Sequence, residues 1–315
     1  RPPQGPCTAD AAASARPRSG RQRLVIGTGG TGGVFYPYGG GIARILTNRL
    51  PNTEATAEVT GGSVDNLKLI QRGDADLGLT TVDSADDALK GQGVYRDSGP
   101  IPACTIAVLY DSLIHVVALG DAGINSVADL RGKPVSVGSP GSSTEVAANR
   151  ILEAAGLNPQ TDIRRETLSV AESANAMRDR RIQAFFWIGG LPTAAVTDLV
   201  TTGNVPVRFL DTTPFLGTLT QRYGPVYTPF TLPGNVYRGV PETPGIGVGN
   251  ILVVNANTSE QLVYDILRTI FDNLPEVQQI HPEARSLTLE RAAGISAIPF
   301  HPGAVRFYTE RGVYR

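Results

Sequence analysis

Strand-length apolar runs alternate with helix-patterned segments along nearly the whole chain, in two successive series of about 100 residues each. In the first series Arg23–Thr28, Ala55–Thr60 and Asp76–Thr81 read as strands. The segments Val34–Leu50, Ser63–Arg72 and Asp83–Leu89 between and after them read as helices, with Ile42, Ile45 and Leu46, or Val64, Leu67 and Ile70, on one face. Ile101–Tyr110 and Leu113–Leu119 read as two further strands. The second series sets strands at Pro134–Gly138, Ile163–Ser169, Ala184–Ile188 and Val205–Leu210. Helices are expected at Ser142–Ala155, stopped by Gly156, at Ala171–Asp179 and at Thr193–Thr201. Val226–Arg238, with its prolines, reads as an irregular crossing; Ile246–Val254 is a long strand and Ser259–Asn273 a helix. Repeated βα units predict an α/β chain with two doubly wound lobes. The boundaries expected are a flexible leader at 1–22, lobe 1 at 23–115, lobe 2 at 116–248, and a return strand with C-terminal helices on lobe 1 at 249–315.

Charge and composition narrow the function classes. Lys+Arg is 28 and Asp+Glu 29, giving a formal net charge of −1. A near-neutral chain carries no global electrostatic footprint for nucleic acid or an anionic membrane. No apolar run approaches the roughly 18–20 residues that span a bilayer. Three His and two Cys leave little material for a metal centre, and none is expected. The leader is Pro-, Ala-, Ser- and Arg-rich with no apolar signal core, so the chain reads as a processed or trimmed product. Cys7 and Cys104 leave alternatives open: one disulfide, two unpaired thiols, or lipidation at Cys7, which Pro6 disfavours.

Five strand ends carry Gly, Ser or Thr. The first, Gly27–Gly33, contains G-x-G-x-x-G at Gly27, Gly29 and Gly32. Pro37 in the following helix, and a second strand that ends in Thr-Gly-Gly rather than an acidic residue, argue against dinucleotide binding. A tight turn or a small-anion site at a helix N-terminus remain. Thr60–Ser63 places Ser63 as an N-cap. Thr80–Asp83 is the third. In Ser139–Glu145, Ser142 and Glu145 have capping-box spacing. Phe185–Gly190 holds the single Trp of the chain, Trp187, which either packs in the core or walls a ligand. Ligands in open α/β sheets sit at the carboxyl ends of strands, so the shared position of these loops is the signal.

Catalysis finds little support. His115 lies in a strand and reads as packing; His281 and His301 each precede Pro and read as turns. Asp83, Asp86 and Asp87 read as a solvated helix face. No G-x-S-x-G or H-E-x-x-H is present.

Four blocks in order, IGTGGTGGVFYPYGGGIARIL, VTGGSVDNLKLIQRGDADLGLTT, HVVALGDAGINSVADLRGKPVSVGSPGSSTE and IPFHPGAVRFYTERGV, make the chain resemble the TAXI solute receptors of tripartite ATP-independent periplasmic (TRAP) transporters. The resemblance runs from Leu24 to Val313 and implies a type II periplasmic-binding-protein fold, two lobes joined by a hinge that closes over a ligand. It implies a monomeric, extracytoplasmic receptor without cofactor. The ligand would be a small carboxylate or amino acid of the glutamate, glutamine or dicarboxylate type, delivered to a TRAP-type permease. Carried over by motif, the ligand-binding positions are Thr28, Gly29, Thr31, Gly32, Gly33 and Tyr36, then Ser63, Thr81 and Val82, then Ser142, Ser143, Thr144 and Trp187. Gly32 and Gly39–Gly41 depart from many members by giving a smaller rim. Two rival readings use the same architecture: a sensory receptor for a signalling partner, and an α/β enzyme of the prephenate or thiamine-precursor type, which would need a cleft acid or base with a shifted pKa.

Overall fold

The computed structural model describes residues 5–13 and 20–314. Its strands are β1 (Gln22–Gly27), β2 (Thr53–Glu58), β3 (Leu77–Thr81), β4 (Ala103–Leu119), β5 (Pro134–Ser136), β6 (Arg164–Glu166), β7 (Ala184–Gly189), β8 (Val207–Phe209), β9 (Tyr227–Pro229) and β10 (Ile246–Asn255). Its α-helices are α1 (Ala9–Ala13), α2 (Phe35–Arg49), α3 (Ser63–Arg72), α4 (Val82–Lys90), α5 (Ser143–Ala154), α6 (Val170–Arg178), α7 (Ala194–Thr202), α8 (Leu216–Tyr223), α9 (Glu260–Asp272), α10 (Leu274–Val277), α11 (Leu289–Ala292) and α12 (Pro302–Glu310). The described residues form two compact units. The first holds those up to Gly29, Phe35–Tyr110 and Gly249 onward; the second holds Gly30–Val34 and Asp111–Val248. The chain thus changes unit inside β4 and again inside β10.

In the first unit the sheet order is β2-β1-β3-β10-β4. β1 runs parallel to both β2 and β3, and β10 runs antiparallel to β3. Parallel neighbours need crossovers, and the helices α2 and α3 provide them. Each is amphipathic: Ile42, Ile45 and Leu46 of α2, and Val64, Leu67 and Ile70 of α3, are buried with Leu24, Ile26, Leu77 and Leu79 of the strands. Gly73 and Gly91 end α3 and α4 in left-handed geometry, which a residue without Cβ adopts at no steric cost. The C-terminal helices add an aromatic cluster of Tyr264, Phe271, Phe307 and Tyr308. His281 and His301 do more than turn the chain. Each caps a short helix whose first residue is Pro, accepting at Nδ1 from Glu283 N–H (3.0 Å) and Gly303 N–H (3.1 Å).

In the second unit β6, β5, β7 and β4 lie side by side, with β8 also on β4. β5 is parallel to β6 and β7, and β4 is antiparallel to β7 and β8. Val117, Val170, Met177, Phe185, Val196, Leu199 and Tyr237 form its core.

Three expectations change. The two strands read at 101–110 and 113–119 are one 17-residue strand, β4. Asp111 is the single exposed residue in an otherwise buried or half-buried run, and the extended backbone passes through it without a break. Within the segment read as irregular, Tyr227–Pro229 pairs with Ile246–Val248 as β9. Asp83 and Asp87 are not solvated: they are 1% and 8% exposed, because the turn through Tyr95 packs over their side of α4, with Tyr95 hydrogen-bonded to Ser84. Asp86 is itself only partly exposed and pairs with Lys90 at 2.6 Å.

The leader reading falls partly on residues 1–4 and 14–19, which lie outside the described residues. The described part is structured: Ala9–Ala13 is helical, Ala12 is buried, and Cys7 is disulfide-bonded to Cys104. A sulfur in a disulfide is not available for acylation, so the lipidation alternative at Cys7 is withdrawn.

Candidate ligand-binding strand ends

The first unit gathers the carboxyl ends of β1, β2 and β3 around one buried amide. Asn66, in the second turn of α3, donates through Nδ2 to Thr28 O and to Leu79 O, both at 2.7 Å. Its Oδ1 accepts from the Thr60 hydroxyl at 2.7 Å, and Thr60 Oγ in turn accepts from Gly62 N–H at 3.1 Å. Gly27 has no side chain because Asn66 needs the space: a Cβ there would lie 2.7 Å from Oδ1. Thr28 is fully buried and donates its hydroxyl to Glu58 O at 2.5 Å. It ties β1 to β2, and its one proton is engaged. Ser63 is the first residue of α3 and not its cap. Gly62 takes the cap position at φ 130°, and Ser63 Oγ accepts from Thr81 N–H at 3.1 Å. Thr81 caps α4 by backbone alone, with the half-buried Val82 opening that helix. Gly29 ends the first-unit part of the loop, and Tyr36 lies half-buried in the first turn of α2.

The second unit builds its site on β7, α5 and α7, with the rest of the glycine loop. Ser142 caps α5, accepting from Glu145 N–H at 3.1 Å and donating to Ser139 O at 2.6 Å. The capping box is half made: the Glu145 carboxylate pairs with Arg165 at 3.0 Å. Ser143 and Thr144, both buried, form the first turn. Thr144 Oγ1 accepts from Ile188 N–H at 3.1 Å, fastening α5 to the end of β7. Gly30–Val34 belongs to this unit. Gly32 O accepts from Ala195 N–H in the first turn of α7 at 3.2 Å, and a Cβ on Gly32 would press on Ala171 and Ala195 at 3.1 and 3.2 Å. Thr31 is exposed at the loop tip.

Trp187 is half-buried, and a chain of side chains holds it. Its indole N–H donates to Thr193 Oγ1 (2.9 Å), whose hydroxyl donates to Gly190 O (2.8 Å). Thr193 N–H donates to Tyr237 Oη at 3.0 Å, and Tyr237 Oη lies 3.0 Å from His115 Nε2. His115 Nδ1 lies 2.9 Å from Leu113 O and 3.2 Å from Trp187 O. Carbonyls only accept, so the proton sits on Nδ1. Nε2 therefore accepts, and Tyr237 donates to it. Burial depresses the His115 pKa to about 4, with the two backbone hydrogen bonds opposing weakly. The ring is neutral at physiological pH and is not a base facing solvent.

Sequence reasoning missed Asn66, Thr193 and Tyr237. Thr193 follows Pro192 at a helix start and could have been read as a cap. Tyr237 lies in a Pro-rich stretch with no periodicity and gave no signal.

The glycines around the indole are steric necessities. A Cβ on Gly33 would lie 2.8 Å from Trp187 Cη2, and one on Gly189 2.2 Å from Nε1. We expect Gly33→Ala to displace the indole at a cost of about 1–3 kcal/mol. Since Trp187 is the only Trp, its emission reports the shift directly. An unchanged emission maximum and unchanged stability would show that the loop has room.

Among the described residues no group of three or more His, Cys, Asp or Glu is placed to hold a metal ion, and no helix is long and apolar enough to cross a membrane.

A family model described as the NMT1-like family matches residues 26–312. Among solved structures, the periplasmic binding protein BugD is 13% identical with a TM-score of 0.58, over 94% of this chain and 95% of that one. A structure described as a periplasmic transporter is 13% identical with a TM-score of 0.54, over 95% of each chain. An ancestral arginine-binding protein bound to arginine is 14% identical with a TM-score of 0.50, over 84% of this chain and 98% of that one. At these identities the likeness is one of fold: the two-lobe type II fold of periplasmic binding proteins.

Proposed function

The chain belongs to the NMT1-like family, and from that premise we propose that it is an extracytoplasmic receptor. It captures a small carboxylate of the glutamate, glutamine or dicarboxylate type and hands it to a TRAP-type permease. The observation that carries this reading is the repetition of one device. In both units, helices begin where strands end, at Gly-, Ser- and Thr-rich loops. First-turn N–H groups have no acceptor within their own helix, and the helix dipole adds favourable potential for an anion. The α5 terminus, with Ser143 and Thr144 behind a Ser142 cap, supplies this in the second unit; α3, starting at Ser63, supplies it in the first. The TRAP partner and the ligand class rest on the sequence blocks that resemble TAXI receptors. The Cys7–Cys104 disulfide supports an oxidising compartment outside the cytoplasm. His115 supports binding over turnover, because both its ring nitrogens are engaged within the core. Capture would proceed by hinge closure, the ligand favouring whichever conformer it binds more tightly.

Titration calorimetry of the purified protein with L-glutamate, L-glutamine and succinate tests the reading. One-to-one binding with a Kd of about 1 μM, worth about 8 kcal/mol, is expected for the preferred solute. The solute should be recovered unaltered, and small-angle scattering should show a smaller radius of gyration on binding. Absence of binding across the three solutes, or chemical conversion of any of them, would sink it.

A further inference from the structure

The chain of hydrogen bonds behind Trp187 has a meaning beyond packing, and its interpretation rests on the receptor reading above. A buried Thr, Tyr and His are held in series, each donor matched to an acceptor: Trp187 Nε1 to Thr193 Oγ1, Thr193 N to Tyr237 Oη, and Tyr237 Oη to His115 Nε2. A core that only needed filling would be built of apolar side chains, since a polar network is stable only when every member is satisfied. What the series does is fix the plane of one half-buried indole. Glycines border that indole at two edges, Gly33 at Cη2 and Gly189 at Nε1, leaving it no latitude to slide. Ile188, its neighbour in sequence, donates to Thr144 in the first turn of α5. The indole and the α5 terminus are thus attached to the end of β7 through successive residues, Trp187 and Ile188.

We propose that Tyr237 is a positioning residue for solute recognition, holding Thr193 and through it the Trp187 indole at the carboxyl end of β7. There the ring takes the short apolar body of a carboxylate whose charged end is held by backbone N–H groups. Helix N–H groups recognise any small anion, so on their own they would not separate glutamate from acetate. An aromatic plane at a fixed place adds contact area for the methylenes, and that contact is the basis of selection.

The single Trp allows the test to be run on the full chain with and without solute. Tyr237→Phe removes the hydroxyl, and Thr193→Val removes the indole's acceptor while keeping the side-chain shape. Thr193→Ser restores the acceptor. Emission and iodide quenching of Trp187 are read first without solute, with far-UV circular dichroism to confirm the fold. The expected result is a shifted emission maximum and greater quenching in Tyr237→Phe and Thr193→Val, with Thr193→Ser close to wild type. Calorimetry with L-glutamate, L-glutamine, succinate and acetate should then show a loss of about tenfold for the preferred longer carboxylate in the first two variants. Acetate binding should be unaffected. Wild-type emission and quenching in both Tyr237→Phe and Thr193→Val would overturn the positioning role. Altered emission with unchanged preference for the longer solute would overturn the selection role. If the wild-type protein binds no solute, the receptor reading fails, and the solute-free emission still decides whether Tyr237 positions the indole.

Discussion

Reducing the Cys7–Cys104 disulfide is expected to lower the free energy of unfolding by about 4 kcal/mol. The two cysteines are 97 residues apart in sequence. In the chain-entropy model a cross-link closing a loop of about 100 residues removes nearly 5 kcal/mol of conformational freedom from the unfolded chain at 25 °C. The native state gives back little of this gain, because both partners belong to packed structure. Cys104 is fully buried in β4, and the segment beginning at Gly5 meets Pro299 and leads into α1 with Ala12 buried. Guanidinium unfolding with and without dithiothreitol measures the effect, and the Cys7→Ser, Cys104→Ser double variant should behave like the reduced protein. A difference below about 1 kcal/mol would mean that the unfolded chain is already restricted near these residues, as residual structure would make it.

How far such features can be read in advance depends on whether their cause is local. The helices were legible where a hydrophobic face or a local stop marks them, as Gly156 does just beyond α5 at φ 79°. Their starts were less so: the capping box of Ser169 and Glu172 at α6 lies in a segment whose pattern reads as strand, and the caps made by His281 and His301 read as turns. The strand ends were legible from equally local signals, and with them the loops that hold Ser63, Thr81 and Ser142. What escaped was decided by distant partners. Asp83 and Asp87 carry charge at positions that a local rule assigns to solvent, and burial under the turn through Tyr95 is a tertiary effect. The capping box at Ser142 is incomplete because Arg165, 20 residues on, attracts Glu145 more strongly than the Ser142 N–H does. Thr28 has the composition of a ligand donor, yet β2 places Glu58 O against its hydroxyl. Tyr237 reaches His115 across 122 residues of sequence, and no pattern within its own segment announces the pairing.

Burial of His115 makes stability depend on acid. An unfolded His binds a proton near pH 6.5, whereas His115 in the folded chain does so only near 4. Between those values the unfolded state holds more protons, so stability falls as pH falls. The difference corresponds to a loss of about 3 kcal/mol by pH 4, and the loss is complete only once the pH is well below 4, where His115 is protonated in both states. The cause is desolvation: the ring is 1% exposed, and it is packed against Tyr237 and Phe209. A second proton on Nε2 would also face the Tyr237 hydroxyl as donor against donor until the hydroxyl proton turned away from His115, toward the side where Thr193 N–H already donates. His301 acts in the same direction, its pKa lowered chiefly by burial. The carboxylates with lowered pKa, such as Asp121 and Asp198, are held down chiefly by hydrogen bonds to arginines at the surface, and water screens what they contribute. The part due to His115 is isolated by His115→Gln, which keeps an amide donor and acceptor and cannot titrate. The variant should be less stable than wild type at pH 7, because its shape is wrong for the site. Its stability should nevertheless fall much less between pH 6.5 and 4, with the two curves converging toward acid. In wild type, the His115 imidazole carbon resonances should stay in place from pH 8 to 5. Parallel pH curves for the two proteins, or a His115 resonance that moves with a midpoint near 6.5, would show that the imidazole meets solvent and that the polar chain behind Trp187 does not hold it neutral.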